Sequence, residues 1–388
     1  MMHAGATRLQ RVRALGPTVD AAAAADPAAT ELSRDVVAAL DAAGVFAMMA
    51  PREVGGAEAD PQELIDVIAE LSYWDGSAGW YAHAVMTGGA VAGAYLGDRA
   101  VAAIFPEGRY LHVAGQAAPT GTAVREGDHY RVSGRYSFGS GSPGARWIVG
   151  GYVLHEGGEP VLGAQGQPVM LIGVAPRETV RFLGNWDVLG LRGTGSYDYE
   201  VAGQLLHADF FHDTAAPVQH RGGALYRMGF MALPCISHGA FAIGATRRVL
   251  DEWLAFARGK PRGSGRPMSG METFQRDFAL ATADLNAAEA YLRGTFARLY
   301  AAAGDSGEIT AAMRRDGRLS TSHAFVVAMR VAQAAFASCT TAAIRSGSAL
   351  QRAFRDIHAG NAHFLTAEQS LVDAGKVLAG AEGAMLIF

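Results

Sequence analysis

The period of the apolar residues changes twice along the 388-residue chain, from helical to alternating and back to helical, and this order restricts the fold more than any single motif. In the first third, Leu32, Val36, Val37 and Leu40 recur at helical spacing. Pro51-Arg52-Glu53-Val54-Gly55-Gly56 breaks the pattern as a loop. The next helix opens on a strong signal: Asp60 can cap it, Pro61 suits its first position, and Glu63 stands three residues after the cap. Leu64, Ile65, Ile68 and Leu71 give its buried stripe, and Gly76 and Gly79 are expected to interrupt before Trp80. From about Leu111 to Val201 the chain shows short β-rich runs, such as Tyr130-Arg131-Val132-Ser133, Trp147-Ile148-Val149 and Val169-Met170-Leu171-Ile172. Glu126-Gly127-Asp128 reads as a hairpin turn. Parallel strands would need intervening helices, and none fit, so an antiparallel barrel or sandwich is expected. Helical spacing then returns with Ile243, Val249, Leu250, Trp253 and Leu254. A Gly/Pro/Arg loop at 259–267 follows, then long Ala-rich segments near 271–302, 310–346 and 364–382 that suit a bundle. The expected fold is α+β in three parts: an N-terminal helical domain over 1–110, an antiparallel β domain over 111–215, and a helical bundle over 216–388.

Composition narrows the function classes. Half the residues are apolar and 18% are charged, which suits a buried core. The net charge is −4 and no Lys/Arg run exceeds two, so no nucleic-acid partner is expected. Cys235 and Cys339 stand in apolar surroundings and read as buried free thiols. There is no CxxC and no HExxH, so no metal site is expected. Neither a signal-peptide core nor a continuous run of about 18 apolar residues is visible, so a cytoplasmic location without a membrane span is expected. No GxGxxG opens a βαβ unit and no GxxxxGK[ST] occurs. Gly139-Ser140-Gly141-Ser142 lacks the strand-to-helix context of a hydrolase nucleophile.

Four segments in order carry a resemblance. They are Gly44–Gly56, Asp75-Gly76-Ser77-Ala78-Gly79-Trp80, Val132–Gly141 with its Gly134-Arg135-Tyr136-Ser137-Phe138-Gly139-Ser140-Gly141, and Arg355-Asp356-Ile357-His358 through His363. Together they resemble the acyl-CoA dehydrogenase superfamily over about residues 30–385, and within it the two-component flavin monooxygenases. The resemblance implies a flavin between the β domain and the bundle. It implies that the hydroxyl and backbone N–H of Ser140 reach flavin N5, which would tune the cofactor's electronics. Phe138, Ser142, Trp186, Arg192 and Thr194 belong to the two β-domain segments that the family places near flavin and substrate. Arg262 and Arg266, in the loop after the bundle's first helix, would bind flavin phosphate, often across a subunit boundary. The plainer alternatives are a turn serine at 140, a Gly-rich turn at 190–196 and a solvated basic loop at 259–267.

His363 is the sharpest candidate. It precedes the position at which medium-chain-type dehydrogenases carry a catalytic glutamate, and here that position is Phe364, which cannot abstract a proton. The monooxygenase branch carries a histidine near this point, and an imidazole titrates close to neutral pH. The alternative is a helix histidine bonded to a carbonyl. Trp80, His83 and His238 are expected at the substrate pocket, and His358 is a weaker candidate one turn before His363. The resemblance thus implies an oxygenase component that takes reduced flavin (FMNH2 or FADH2) from a separate NAD(P)H:flavin reductase. With O2 the flavin forms a C4a-hydroperoxide that oxygenates a small, aromatic molecule. It also implies a homotetramer, for which Ala-rich segments such as 326–344 offer apolar surface. The alternatives are a dehydrogenase or oxidase with its carboxylate elsewhere, and a non-catalytic binding relic.

Overall fold

The computed structural model describes residues 6–384, except 165, 216, 260, 263–265 and 306–307, and the side chains of 261 and 262. Helices α1 (Arg8–Ala25), α2 (Arg34–Ala42), α3 (Pro61–Trp74), α4 (Gly76–Tyr95) and α5 (Asp98–Ile104) come first. α1 was not expected; its few buried residues, Val12, Gly16 and Val19, give it little apolar periodicity. At α3 the expected cap is present, with Asp60 Oδ1 accepting from the N–H groups of Gln62 and Glu63 at 2.8 and 3.0 Å. The break before Trp80 falls at Asp75, not at the glycines. Asp75 ends α3 and caps α4 by accepting from Ala78 N–H at 2.9 Å. Gly79 lies inside α4, where a Cβ would stand 2.0 Å from Ser72 Oγ, so the glycine permits close packing of α3 and α4.

The middle of the chain forms one eight-stranded sheet from β1 (Val113–Glu126), β2 (His129–Tyr136), β3 (Trp147–Glu156), β4 (Glu159–Pro160), β5 (Met170–Pro176), β6 (Val180–Phe182), β7 (Tyr199–His207) and β8 (Phe211–Asp213). The order is β6-β7-β2-β1-β3-β5-β8, with β4 on β3. The β1–β2 hairpin turns where expected, with Gly127 at φ +63°, a conformation that glycine adopts without strain. The expectation of a purely antiparallel sheet is corrected: β1 and β3 pair in parallel, from Val113 opposite Trp147 to Val124 opposite His155. No crossover helix is needed, because β2 carries the chain back to the starting end of β1. Residues 137–146 then pass over that end and enter β3. This crossing loop contains Phe138, Ser140 and Ser142.

Helices α6 (Ala224–Arg227), α7 (Ala232–Gly259), α8 (Glu272–Asp305), α9 (Ala311–Cys339), α10 (Ala349–Asn361) and α11 (Glu368–Ala379) complete the described chain. α10 was not expected as a separate helix. Arg355, Asp356 and His358 lie on it, and His363 lies in the turn between α10 and α11. Core packing joins α7 to α3, α4, α8, α9 and α10. A stretch of α9 within 311–342 is long and apolar enough to cross a membrane, with mean hydropathy 1.3 and 44% burial. Alanine and valine raise this mean without a continuous apolar run, and a core helix of a bundle meets the same measure. α9 packs on α7, α8, α10 and α11 within the bundle.

Candidate active site

Trp80, in the first turns of α4, is the hub of the site and is 7% exposed. Its ring meets four others edge-on: His83 at 4.8 Å, His238 at 4.7 Å, Phe241 at 5.1 Å and His363 at 5.9 Å between centroids. The helical repeat puts His83 on the same face of α4 as Trp80, and His238 and Phe241 on one face of α7. Gly360 near the end of α10 lets that helix lie close against the cluster, for a Cβ there would stand 2.8 Å from Phe241 and 3.0 Å from Trp80. The imidazoles of His83 and His238 lie 4.5 Å apart, and those of His238 and His363 lie 4.3 Å apart. Three histidines separated by up to 280 positions thus share one cluster.

All three are held neutral. Burial lowers the pKa of His83 well below the usual range, helped by the charges that His238 and His363 would carry. Burial also takes His238 down to about 4, with Arg318 acting in the same direction. His363 is lowered well below its usual value by burial, then by His238 and Arg318. Their hydrogen bonds assign different faces. His238 Nδ1 donates to Pro234 O at 2.6 Å, which leaves Nε2 as an acceptor, buried and without a partner. His363 Nδ1 accepts from Leu365 N–H at 3.3 Å, so its proton sits on Nε2 as a donor. Both nitrogens of His83 are buried and without partners. His358 is the carbonyl-bonded helix histidine: its Nδ1 donates to Phe354 O at 2.7 Å and its ring lies 3.9 Å from that of Phe354, tilted by 35°.

A chain of hydroxyls approaches Trp80 from the sheet. The indole Nε1 donates to Ser140 Oγ at 3.2 Å, Ser140 Oγ pairs with Ser196 Oγ at 2.7 Å, and Ser196 Oγ pairs with Thr194 Oγ1 at 2.7 Å. Thr194 Oγ1 closes the chain on Leu191 O at 2.7 Å. Thr194 is fully buried and supports the chain from behind. The expectation that the Ser140 N–H is available to a cofactor is corrected: it donates to Phe138 O at 2.8 Å in the tight turn that Phe138 makes at φ +65°. Only the hydroxyl of Ser140 is presented. Ser142 Oγ is buried without a partner. Phe138 is 63% exposed and meets Trp186 edge-on at 6.1 Å.

The remaining predicted residues divide. Trp186 Nε1 donates to Arg192 O at 2.9 Å. Arg192 spends its guanidinium on Asp187 at 3.1 Å and Val188 O at 2.9 Å, so it braces the loop. Arg266 stands exposed beyond the C-terminal end of α7. The helix from His238 to Gly259 spans about 30 Å at 1.5 Å per residue, so Arg266 does not join the histidine cluster within one chain. The side chain of Arg262 lies outside the described residues.

Two partners were missed from the sequence. Asp356 Oδ1 accepts from Leu191 N–H at 2.6 Å and so ties the 190–196 loop to α10. Burial and then the charge of Asp75 raise its pKa to about 7, and Asp75 is raised by burial as well. Asp356 belongs to the Arg355-Asp356 motif, but its spacing gave no hint of a partner 165 positions away. Arg318 is the other, a charged residue on the buried face of α9 that donates to Ser370 Oγ at 2.6 Å. A cavity of about 310 Å³ lies behind the loop, lined by α1, α2, Ser77, Gly193, Arg352 and Asp356, and does not include Trp80 or the histidines.

The flavin expected from the resemblance fits what is present. Unpartnered buried polar atoms on Ser142, His83 and His238, and the exposed faces of Phe138 and Trp186, offer a planar polar ring both hydrogen bonds and apolar walls. The helical part, the sheet and the bundle thus meet at the Trp80 junction. Residues 11–100 match the family described as acyl-CoA dehydrogenase, N-terminal domain, and residues 236–368 match acyl-CoA dehydrogenase, C-terminal domain. These two matches together span more than half of the chain, which belongs to the acyl-CoA dehydrogenase superfamily. It is 28% identical to an indole-3-acetate monooxygenase of Pseudomonas putida over 356 residues, 90% of this chain and 87% of that one. It is 26% identical to the flavin-dependent monooxygenase oxygenase subunit HsaA of Rhodococcus jostii, over 92% of this chain and 93% of that one. A crystal structure of 3-HSA hydroxylase from Rhodococcus sp. RHA1 has the same fold, with TM-score 0.89, 24% identity and full coverage of both chains.

Proposed function

We propose that this chain is the oxygenase component of a two-component flavin monooxygenase acting on a small aromatic molecule. The observation that carries the reading is the make-up of the cluster around Trp80. Its ring partners are His83, His238, Phe241 and His363, and none bears the carboxylate that α-proton abstraction requires. The nearby acid Asp356 is tied to Leu191 and does not replace it. Reduced flavin, when bound, supplies the electrons that activate O2 for transfer of one oxygen atom to substrate, the other leaving as water. The chain's own residues orient and protect. Ser140 Oγ presents a hydroxyl fixed by Trp80 and Ser196 toward the cofactor ring. The Nε2–H of His363 donates a proton or hydrogen bond, and the free Nε2 of His238 accepts one from a phenol or indole N–H. Trp80 and Phe241 exclude water.

The names of the relatives support an aromatic substrate, for they include a monooxygenase of indole-3-acetate and a resorcinol hydroxylase. The oxygenase-component names among them support a separate NAD(P)H:flavin reductase. We place the protein in the cytoplasm as a homotetramer. Exposed Leu280, Val326, Phe364, Val372 and Leu378 on and around α8, α9 and α11 supply an apolar face for the contact. In such a contact Arg266 would serve a neighbouring subunit's cofactor phosphate.

Equilibrium titration of both flavin redox forms, with stopped-flow mixing of the reduced complex against O2, tests the reading. Reduced flavin should bind more tightly, and indole or resorcinol should be oxygenated as the flavin reoxidises. Tighter binding of oxidised flavin, together with reduction by an acyl-CoA, would overturn it.

A further inference from the structure

The cavity of about 310 Å³ behind the 190–196 loop is built differently from the Trp80 site. Val19, Ala22 and Ala23 of α1, with Leu32 and Val36, give it an apolar wall. Its polar wall comes from the start of α4, the 190–196 loop and α10. Most charged groups there are already engaged. Arg352 donates to Asp20 Oδ1 at 2.5 Å and lies 3.7 Å from Asp75 Oδ1. Arg192 is held by Asp187 and Val188 O. The exposed acids are bonded too: Asp26 Oδ1 accepts from Ala28 N–H, and Glu31 Oε1 accepts from the Tyr197 hydroxyl. Two neighbours on α10 retain free capacity. Asp356 is 4% exposed; its Oδ1 accepts from Leu191 N–H, and its buried Oδ2 has no partner. A Cβ on Gly76 would stand 2.7 Å from that Oδ2, so a glycine at the start of α4 admits the carboxyl group. Arg355 Nη1 donates to Leu189 O at 3.1 Å, and its Nε is buried without a partner. A buried carboxylate oxygen without a donor is unfavourable as an anion, and Oδ1 is already an acceptor, so Oδ2 carries the proton of Asp356. Burial and the charge of Asp75 act in the same direction. The cavity thus holds two unused donors, Asp356 Oδ2–H and Arg355 Nε–H, beside an apolar wall.

We propose that this cavity is a second binding site, separate from the Trp80 cluster, for a small molecule that combines an apolar body with one carboxylate. The body packs on α1 and Leu32, and the carboxylate accepts from Asp356 Oδ2–H and Arg355 Nε–H, a charge-assisted pairing. An organic cation of the same shape meets two donors and the Arg355 charge, and is rejected. The volume suits a ligand of this size. The site shares a loop with the cofactor side. Gly193 N–H donates to Ser77 Oγ at 3.1 Å, both residues lining the cavity, and the next residue, Thr194, begins the hydroxyl chain through Ser196 to Ser140. An occupant therefore leans on the segment that positions Ser140. Binding itself does not depend on the oxygenase reading.

The test uses the full chain without flavin, with para-fluorobenzoate as the probe, followed by fluorine NMR. A bound resonance should appear and saturate with a Kd of about 1 mM or tighter, as a ligand of so few atoms allows. Ala23→Phe fills the apolar wall, and Arg355→Met removes the cation and its donor; each should weaken binding about tenfold or more. Asp356→Asn puts an amide N–H in place of Oδ2–H and should retain it. Para-fluorobenzylamine should not displace the probe. The proposal is overturned by the absence of any saturating resonance that Ala23→Phe and Arg355→Met weaken. Displacement by the amine, or loss of binding in Asp356→Asn, would overturn it as well. Should Arg355→Met not fold, Ala23→Phe and the amine competition decide. Because no flavin is present, failure of the oxygenase reading leaves these outcomes readable.

Discussion

Replacing His363 by asparagine separates a proton-handling role from a packing role by magnitude. The ring touches Trp80, His238 and Phe364 at 5.9, 4.3 and 4.7 Å, and its one hydrogen bond, from Leu365 N–H, is long at 3.3 Å. Asparagine can accept that bond, so the loss is mainly aromatic packing in a half-buried turn. It should cost about 1–2 kcal/mol of stability. If packing were the whole role, flavin affinity and product formation would fall together, by roughly the 5- to 30-fold that such an energy represents. Loss of a positioned general acid or base costs about 10²-fold or more, near 2.7 kcal/mol, and in the chemical step alone. The assay follows substrate oxygenation and hydrogen peroxide side by side with chemically reduced flavin, beside thermal unfolding and flavin titration. Product should drop about 10²-fold while peroxide rises to account for the reduced flavin consumed. His358→Asn is the control, since that ring is bonded to Phe354 O and lies outside the cluster; it should keep wild-type coupling. Wild-type turnover and coupling in His363→Asn would refute the role, and His238 would be the next group to test.

Asp356 and Asp75 are buried with raised pKa values, Asp356 at about 7, so the folded chain holds protons that the unfolded chain gives up. Their contribution is therefore greatest below about pH 4, the ordinary carboxyl range, and is lost as pH rises toward 7. Asp356→Asn, which can still accept from Leu191 N–H, should flatten that decline in denaturant unfolding measured from pH 4 to 8; an unaltered slope would count against it. Gly190→Ala would place a Cβ 2.2 Å from the backbone oxygen of Arg355, so stability should fall by about 1–3 kcal/mol. Flavin affinity should fall with it, because the Thr194–Ser196–Ser140 chain hangs on the same loop; retention of both would show that the loop is not anchored there. Light scattering should give a tetramer of the 40.6 kDa chain, and a stable monomer would refute the assembly.

The order of parts was legible in the sequence because hydrophobic period is local. Alternation in 111–201 and helical spacing on either side require no knowledge of distant residues. Asp60 with Pro61, and Glu126-Gly127-Asp128, announced a helix start and a turn for the same reason: caps and turns are made within a few residues. His363 and Ser140 stood out through motifs, and Phe364 through the absence of a carboxylate at its position. The rest was settled by long-range packing. The parallel pairing of β1 with β3 follows from which strand edges were free once the hairpin had formed, and no local pattern records that. Whether His363 or His358 joins the cluster depended on where α10 ends, which the turn from Gly360 onward decides. The neutral state of His83, His238 and His363 arises only when α4, α7 and the α10–α11 turn bury them together. Arg318 reads in the sequence as an ordinary charge on an Ala-rich helix. Only the bundle makes it a buried cation, because burial is a property of the neighbours that packing brings and not of the residue itself.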